Sequence, residues 1–435
     1  MFRATIIGLI AFIAVIAWNG LVFLGVSEGW GKSPIVNSNK TADFMGAFSQ
    51  AVEADTVGNL SMVLIKDGEI AGRFNTSIGN AVDGSSVYQV ASLGKWITAW
   101  GVMVLVEEGL VDLDTPVSEY LTRWRLPDSE FDSSGVTIRR LLSHTSGLGD
   151  GLGYDGFKNP NERQSLEDSL KQALDASPGK SGVVELSAEP GSQWSYSGGG
   201  YTVLQMLIED VSGQSFADFM STRVFNPLGM NRTTFSHSEA LQLGLAENYD
   251  LNGETEPFRW YTALAATSLF TSADDLALFI QAQTETGRQP VLSEHTLKLM
   301  RTPHASQMGA DIWGLGPMLY APNNGDGHII GHDGNNGPAI NTVARFDPAT
   351  RDGIVILSTG SNTLATRLAG EWVFWKTGNI DSLMFLMSFN SLLLWMGVGS
   401  TAIILLAIVA GLRSRQPRRH VRSATSSLFD DTRAG

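Results

Sequence analysis

The sequence predicts an α/β chain of the α+β type: one antiparallel sheet flanked by terminal helices, a helical subdomain inserted into it, and transmembrane helices outside it. Three observations predict it. Strand and hairpin signals cluster near both ends of the region 41–380. Between them, roughly 95–325, apolar residues recur mostly at helical spacing. Two uncharged apolar stretches, Ala4–Val26 and Leu383–Leu412, enclose the whole.

Each apolar stretch exceeds the roughly 20 residues that carry a helix across a bilayer core. The first is preceded by Arg3 and the second is followed by Arg413, Arg415, Arg418, Arg419 and Arg422. Arginine flanks mark the cytoplasmic side, so both termini are expected inside the cytoplasmic membrane and the region between them outside. Gly25 and Ser27 are small residues at a −3/−1 spacing, so residues 1–26 read as a transmembrane anchor or as a cleaved signal peptide. Residues 27–40, rich in Gly, Ser, Asn and Lys, read as a linker. The folded region is 41–380, followed by a transmembrane helix at 383–412 and a basic cytoplasmic tail at 413–435.

Within the folded region, Thr41 reads as an N-cap, followed by Phe44, Phe48 and Val52 on one helical face. Met62–Lys66 and Glu69–Phe74 flank Asp67-Gly68, a two-residue hairpin signal. Helices are expected at Lys95–Glu108, Gly200–Val211 and Ala273–Thr284. An apolar strand, His328–Gly331, precedes a second hairpin made by Pro338–Phe346 and Gly353–Ser358. Thr363–Lys376 closes the region, with Leu364, Leu368, Trp372 and Trp375 at helical spacing.

Composition narrows the function. The 435 residues include no cysteine, which excludes disulfides, thiolate metal sites and a cysteine nucleophile. The formal charge is −14, and the region between the apolar stretches carries −19. Such a surface does not suit nucleic acid.

Ser92-Leu93-Gly94-Lys95 opens the apolar run Trp96–Val106. With Ser92 in the first turn of that helix, Lys95 at i+3 projects over the same face. A lysine desolvated by a buried helix can lose its proton and serve as base for a hydroxyl. Two further features lie downstream. Tyr196-Ser197-Gly198 precedes the helix near Tyr201, and His332-Asp333-Gly334 ends the strand begun at His328. Gly334 leaves room for something to lie against the strand edge. His328 and His332 share a strand face without an evident third metal ligand. A Ser-His-Asp triad on Ser146 lacks the Gly-x-Ser-x-Gly elbow.

The order Ser92-x-x-Lys95, Tyr196-x-x, His332-x-Gly334 resembles the serine beta-lactamase and penicillin-binding-protein superfamily, and most of all its class C beta-lactamase-like serine hydrolase branch. Leu141–Leu148, Pro190-Gly191, Pro227–Met230 and Leu269–Leu276 extend the resemblance over about 44–360. It implies a metal-free, cofactor-free enzyme in which Ser92 attacks a carbonyl and Lys95 and Tyr196 share the proton transfers. Backbone N–H groups of Ser92 and Asn335 would form the oxyanion hole, and Ser197, Gly198, His332, Asp333 and Gly334 would line the substrate. His144 fits a structural loop of the family. The implied substrate is a small or peptide-like ester or amide; the alternatives are a peptidoglycan D,D-peptidase or beta-lactamase, and a non-catalytic ligand-binding sensor. The branch has Asn where this chain has Gly198, and Lys-Thr where it has His332-Asp333. An ionised Asp333 facing the cleft would repel a carboxylate, so neutral or cationic acyl substrates are expected.

Overall fold

In a computed structural model that describes residues 2–149, 153–284 and 289–414, the chain separates into two compact units, Lys32–Leu386 and a pair of terminal segments, Met1–Gly31 with Met387–Gly435. The arginines expected to mark the tail beyond Arg413 lie outside the described residues.

The larger unit is organised on an eight-stranded antiparallel sheet in the order β2-β1-β10-β9-β8-β7-β6-β5. Its centre comes from both ends of the unit: β1 (Leu60–Lys66) pairs with β2 (Glu69–Thr76) and with β10 (Asp352–Thr359). Asp67 and Gly68, both at positive φ, make the tight turn their sequence announces. A short ribbon of β3 (Val87–Gln89) and β4 (Phe270–Ser272) stands apart from the sheet. β9 (Ile340–Asp347) joins β10 to β8 (His328–Asn336). The sheet then runs on through β7 (Met318–Pro322), β6 (Ala310–Trp313) and β5 (Ala305–Gln307), all within the stretch expected to be mostly helix and loop.

Central strands are buried on both faces, which is why they read as continuous apolar runs rather than alternating ones. Met62, Leu64, Ile354 and Ile356 face a core closed by Phe44, Phe48 and Val52 of helix Thr41–Asp55 and by Leu368 and Trp372 of helix Leu364–Thr377. Their neighbours Val63, Ile65, Val355 and Leu357 face the helical subdomain and its buried Trp96, Trp100 and Phe279. Helix Gly94–Glu107 is buried all round from Gly94 to Leu105, which explains its uninterrupted apolar sequence.

Several sequence expectations shift. Thr41 is already helical, and Lys40 occupies the cap position without a side-chain cap bond. Part of the expected linker is docked: Lys32 pairs with Glu371 at 2.6 Å and Trp375 Nε1 donates to Ser38 O at 2.7 Å. β8 does not stop at Gly331; pairing with β9 carries it through Asn336. The continuous C-terminal helix begins at Phe389 rather than Leu383, after a separate short helix, Ser382–Met387.

Candidate active site

Ser92 sits in a one-turn 3₁₀ helix, Ala91–Leu93, immediately before helix Gly94–Glu107 rather than inside it. Ala91 holds a φ of +49°, a costly conformation for a residue with a side chain. The turn is clamped from two sides. Val90 N–H donates to Leu269 O at 2.9 Å, and Thr342 Oγ1 donates to Val90 O at 2.8 Å. A Cβ on Gly334 would lie 2.0 Å from Val90 O and 3.1 Å from Leu93 N. Gly334 is therefore filled by the turn that carries Ser92. What lies against this strand edge is the chain itself.

Lys95 follows at i+3 and is only 1% exposed. Its Nζ donates to Ser92 Oγ at 3.0 Å and to Ala266 O at 2.6 Å. The ammonium lies 5.0 Å above the Tyr196 ring and 5.7 Å above Tyr201. Tyr196 is half-buried and packs tilted against His144, ring centroids 4.4 Å apart, with Trp313 at 5.6 Å. His144, at φ +58°, accepts the Ser197 N–H at Nδ1 (3.1 Å) and the Ser195 N–H at its carbonyl (2.8 Å). Burial, reinforced by the charge of Lys95, pushes its pKa well below that of a free imidazole. His144 thus acts as a neutral bracket for the loop that presents Tyr196.

β8 splits the next motif between two faces. His332 turns toward the helical subdomain, 1% exposed, with Trp313 edge-on at 5.5 Å. Its Nδ1–H donates to Asp333 O at 2.6 Å. Burial, then the charge on Lys95, pushes its pKa down to about 3, so the ring is neutral near pH 7. Asp333 turns to the opposite face, as strand alternation requires. There it ion-pairs with Arg345 and accepts from Tyr320 Oη at 2.7 Å and Thr366 Oγ1 at 2.6 Å. Asp333 is thus not a substrate-facing carboxylate, and the repulsion expected from it does not operate in the cleft.

Two other expected contacts are corrected. Ser197 is buried and its hydroxyl caps helix Gly198–Ser212, accepting from Gly200 N at 3.0 Å. Gly198 is covered by Tyr154, whose Cε2 would stand 3.1 Å from any Cβ there. Asn335 stays at the surface, and its side chain donates to Asn362 O.

Ser92, Lys95 and Asn335 open into a cleft of about 330 Å³ whose walls include Tyr154, Asp155 and Asn336. Sequence reasoning missed these last three. Asn336 Nδ2 lies 3.1 Å from Tyr154 O, 2.7 Å from Tyr261 Oη and 3.1 Å from Thr267 Oγ1. These partners lie 69 or more residues away from Asn336, Thr267 at the end of the short helix Leu264–Thr267, so no local spacing signals them.

A hydroxyl bonded to a buried amine that lies against a tyrosine ring, at the mouth of a cleft, is the constellation of a serine hydrolase that works through its own side chains. The chain matches the Beta-lactamase family over residues 45–373 and belongs to that family, whose members are serine hydrolases. It is 30% identical to penicillin-binding protein 4 of Amycolatopsis lactamdurans, over 65% of this chain and 75% of that one. It is also 30% identical to esterase EstB of Burkholderia gladioli, over 49% of this chain and 55% of that one. Among solved structures, the octameric penicillin-binding protein homologue from Pyrococcus abyssi superposes with a TM-score of 0.63 at 25% identity, over 76% of each chain.

Proposed function

We propose that the protein is a membrane-anchored hydrolase that cleaves ester or amide bonds through an acyl-Ser92 intermediate, with its catalytic unit outside the cytoplasmic membrane. The observation that carries it is the 3.0 Å bond between the Ser92 hydroxyl and a lysine that is 1% exposed. Ser92 attacks the carbonyl as Lys95, in its neutral amine form and together with Tyr196, takes up the hydroxyl proton and passes one to the leaving group. Backbone N–H groups of Ser92 and Asn335 stabilise the oxyanion. Water then attacks the acyl-enzyme and regenerates the serine.

The substrate preference follows from charge. Where the branch carries a lysine, this chain has a buried neutral His332, so no cation from β8 meets a substrate carboxylate. Asp155 at the cleft adds a negative charge. Neutral or cationic ester and amide substrates fit this field better than carboxylate-bearing beta-lactams. The D,D-peptidase or beta-lactamase alternative draws support from the likeness to the Amycolatopsis penicillin-binding protein. Helices Thr5–Ser27 and Phe389–Arg413, each long and apolar enough to cross a bilayer, support the anchoring.

The test is to treat the full chain, in detergent, with a fluorophosphonate and separately with a labelled penicillin, and to map the adducts. The fluorophosphonate should label Ser92 and the penicillin should label little. Rapid, stoichiometric penicillin labelling of Ser92 favours the alternative, and labelling at another serine overturns the nucleophile.

A further inference from the structure

We propose that the two apolar helices are permanent partners: the N-terminal helix Phe2–Ser27 is retained in the mature protein and docks in one register on the C-terminal helix Phe389–Ser414. This goes beyond anchoring, because a cleaved signal segment has no use for a fitted partner far downstream, and the Trp18–Trp395 and Asn19–Ser400 contacts span separations of 377 and 381 residues.

The fit is specific. Trp18 lies in the notch left by Gly399, where a Cβ would stand 2.0 Å from Trp18 Nε1 and 2.1 Å from Cε2. From that notch the indole N–H donates to Trp395 O at 3.0 Å, one turn along the same face. Beside it, Asn19 Nδ2 donates to Val15 O at 2.9 Å and to Ser400 Oγ at 3.2 Å. Trp18-Asn19 and Gly399-Ser400 both fall well inside their apolar spans. Hydrocarbon offers no water to an amide or an indole N–H, so each polar group there needs a protein partner. A small residue that admits close approach, with a polar side chain next to it, is how helices associate in lipid. Removing residues 1–26 would strip Gly399 of its filler and expose Ser400 to the acyl chains.

The candidate cleavage region is also closed. Glu28 N–H donates to Leu24 O and Trp30 N–H to Gly25 O, each at 2.9 Å. The small pair Gly25 and Ser27 therefore lies in hydrogen-bonded backbone, and a cut there requires the last turn to unwind. The resulting hairpin puts both termini on one side of the membrane.

The inference rests on the two helices crossing a bilayer, and the test separates the two. The chain has no cysteine, so engineered thiols are the only ones present. In membranes from cells expressing the full chain, Asn19→Cys with Ser400→Cys should form an intramolecular disulfide on mild oxidation. Asn19→Cys with Leu405→Cys, the latter on an exposed position, should not. Adding Gly399→Leu to the first pair fills the notch without loss of hydrophobicity and should abolish the cross-link. Intact-mass measurement should find residues 2–27 present. A mature chain that lacks them, equal cross-linking of both pairs, or cross-links joining two chains overturns the proposal. Alkaline carbonate extraction reads the bilayer separately: release of a chain that still cross-links overturns its crossing and leaves the pairing standing.

Discussion

Two cations are buried on opposite faces of the same sheet, and their surroundings differ in kind. Arg345, fully buried, meets the carboxylates of Asp333 and Asp381 and lies 3.4 Å above the Tyr320 ring. Burial disfavours its charge, but Asp333, Tyr320 and Asp381 together hold the guanidinium protonated. Lys95 meets a hydroxyl and a backbone carbonyl, two neutral acceptors. A guanidinium locked between two carboxylates has no proton to give. A lysine bonded to a hydroxyl can, once its amine is neutral, take up that hydroxyl's proton. One face of the sheet is therefore held together by charge, and the other is poised to use it.

Breaking the reactive side should produce the largest effect. Ser92→Ala should abolish covalent labelling and Lys95→Ala should lower kcat/KM by about 10³-fold or more, as expected when a nucleophile loses its base. Ser92→Ala should keep the thermal midpoint within a few degrees in a melting scan, whereas Lys95→Ala empties the place of a large buried side chain and should lower it, so its activity is compared well below the new midpoint. Near-normal acylation by Lys95→Ala would remove the base from this side of the comparison.

The next effect concerns the clamp between the two faces. Gly334→Ala puts a Cβ against Val90 O, so the turn bearing Ser92 or the strand must move by about 1 Å. A displacement of that size costs on the order of 10²-fold in rate. Pre-steady-state acylation should show it with little change in KM, and an unchanged acylation rate would mean that the clamp does not position the nucleophile.

Arg345→Met sharpens the structural side. It leaves Asp333 and Asp381 buried without their shared cation, and the loss should be about 3–5 kcal/mol in a urea titration of the full chain in detergent. Asp333→Thr and Asp381→Asn added to Arg345→Met should recover much of it, because a charge triad replaced as a whole is often tolerated. A single variant as stable as the parent would show that the triad contributes nothing.

What the sequence made legible divides along the same line. Ser92 and Lys95 are three residues apart, so helical geometry alone brings them together, and Asp67-Gly68 specifies its turn locally. The triad joins positions 333, 345 and 381 through strand pairing and the entry to helix Ser382–Met387, which no local pattern encodes. Asp333 differs from its expected place for that reason: alternation along β8 separates it from His332, and only the pairing with β9 extends the strand past Gly331. β5 to β7 were missed because they are short and irregular, with register shifts at Ala305/Ser306 and Leu319/Ala321. Tyr154 and Asn336 reach the cleft through contacts between segments distant in sequence.

The smallest effect tests whether His332 stays neutral beside Lys95. In an unfolded chain an imidazole gains its proton as pH falls through about 6.5. In the folded chain His332 stays neutral down to about 3, held there by burial and by the charge on Lys95. Between those values the unfolded state binds more protons. Its stabilising contribution is therefore complete above about pH 6.5 and falls as the pH drops, by up to about 1.4 kcal/mol per unit. His144, depressed by burial and by the same lysine, acts in the same direction, while buried carboxylates add their own slopes. Subtraction isolates His332. Stability of the parent and of His332→Gln, measured by urea titration from pH 7.5 to 4.5, should diverge below pH 6.5, with the variant's curve the flatter. Parallel curves would mean that His332 titrates alike folded and unfolded. It would then be cationic in mildly acidic conditions and able to meet a substrate carboxylate, which would return beta-lactams to the list of good substrates.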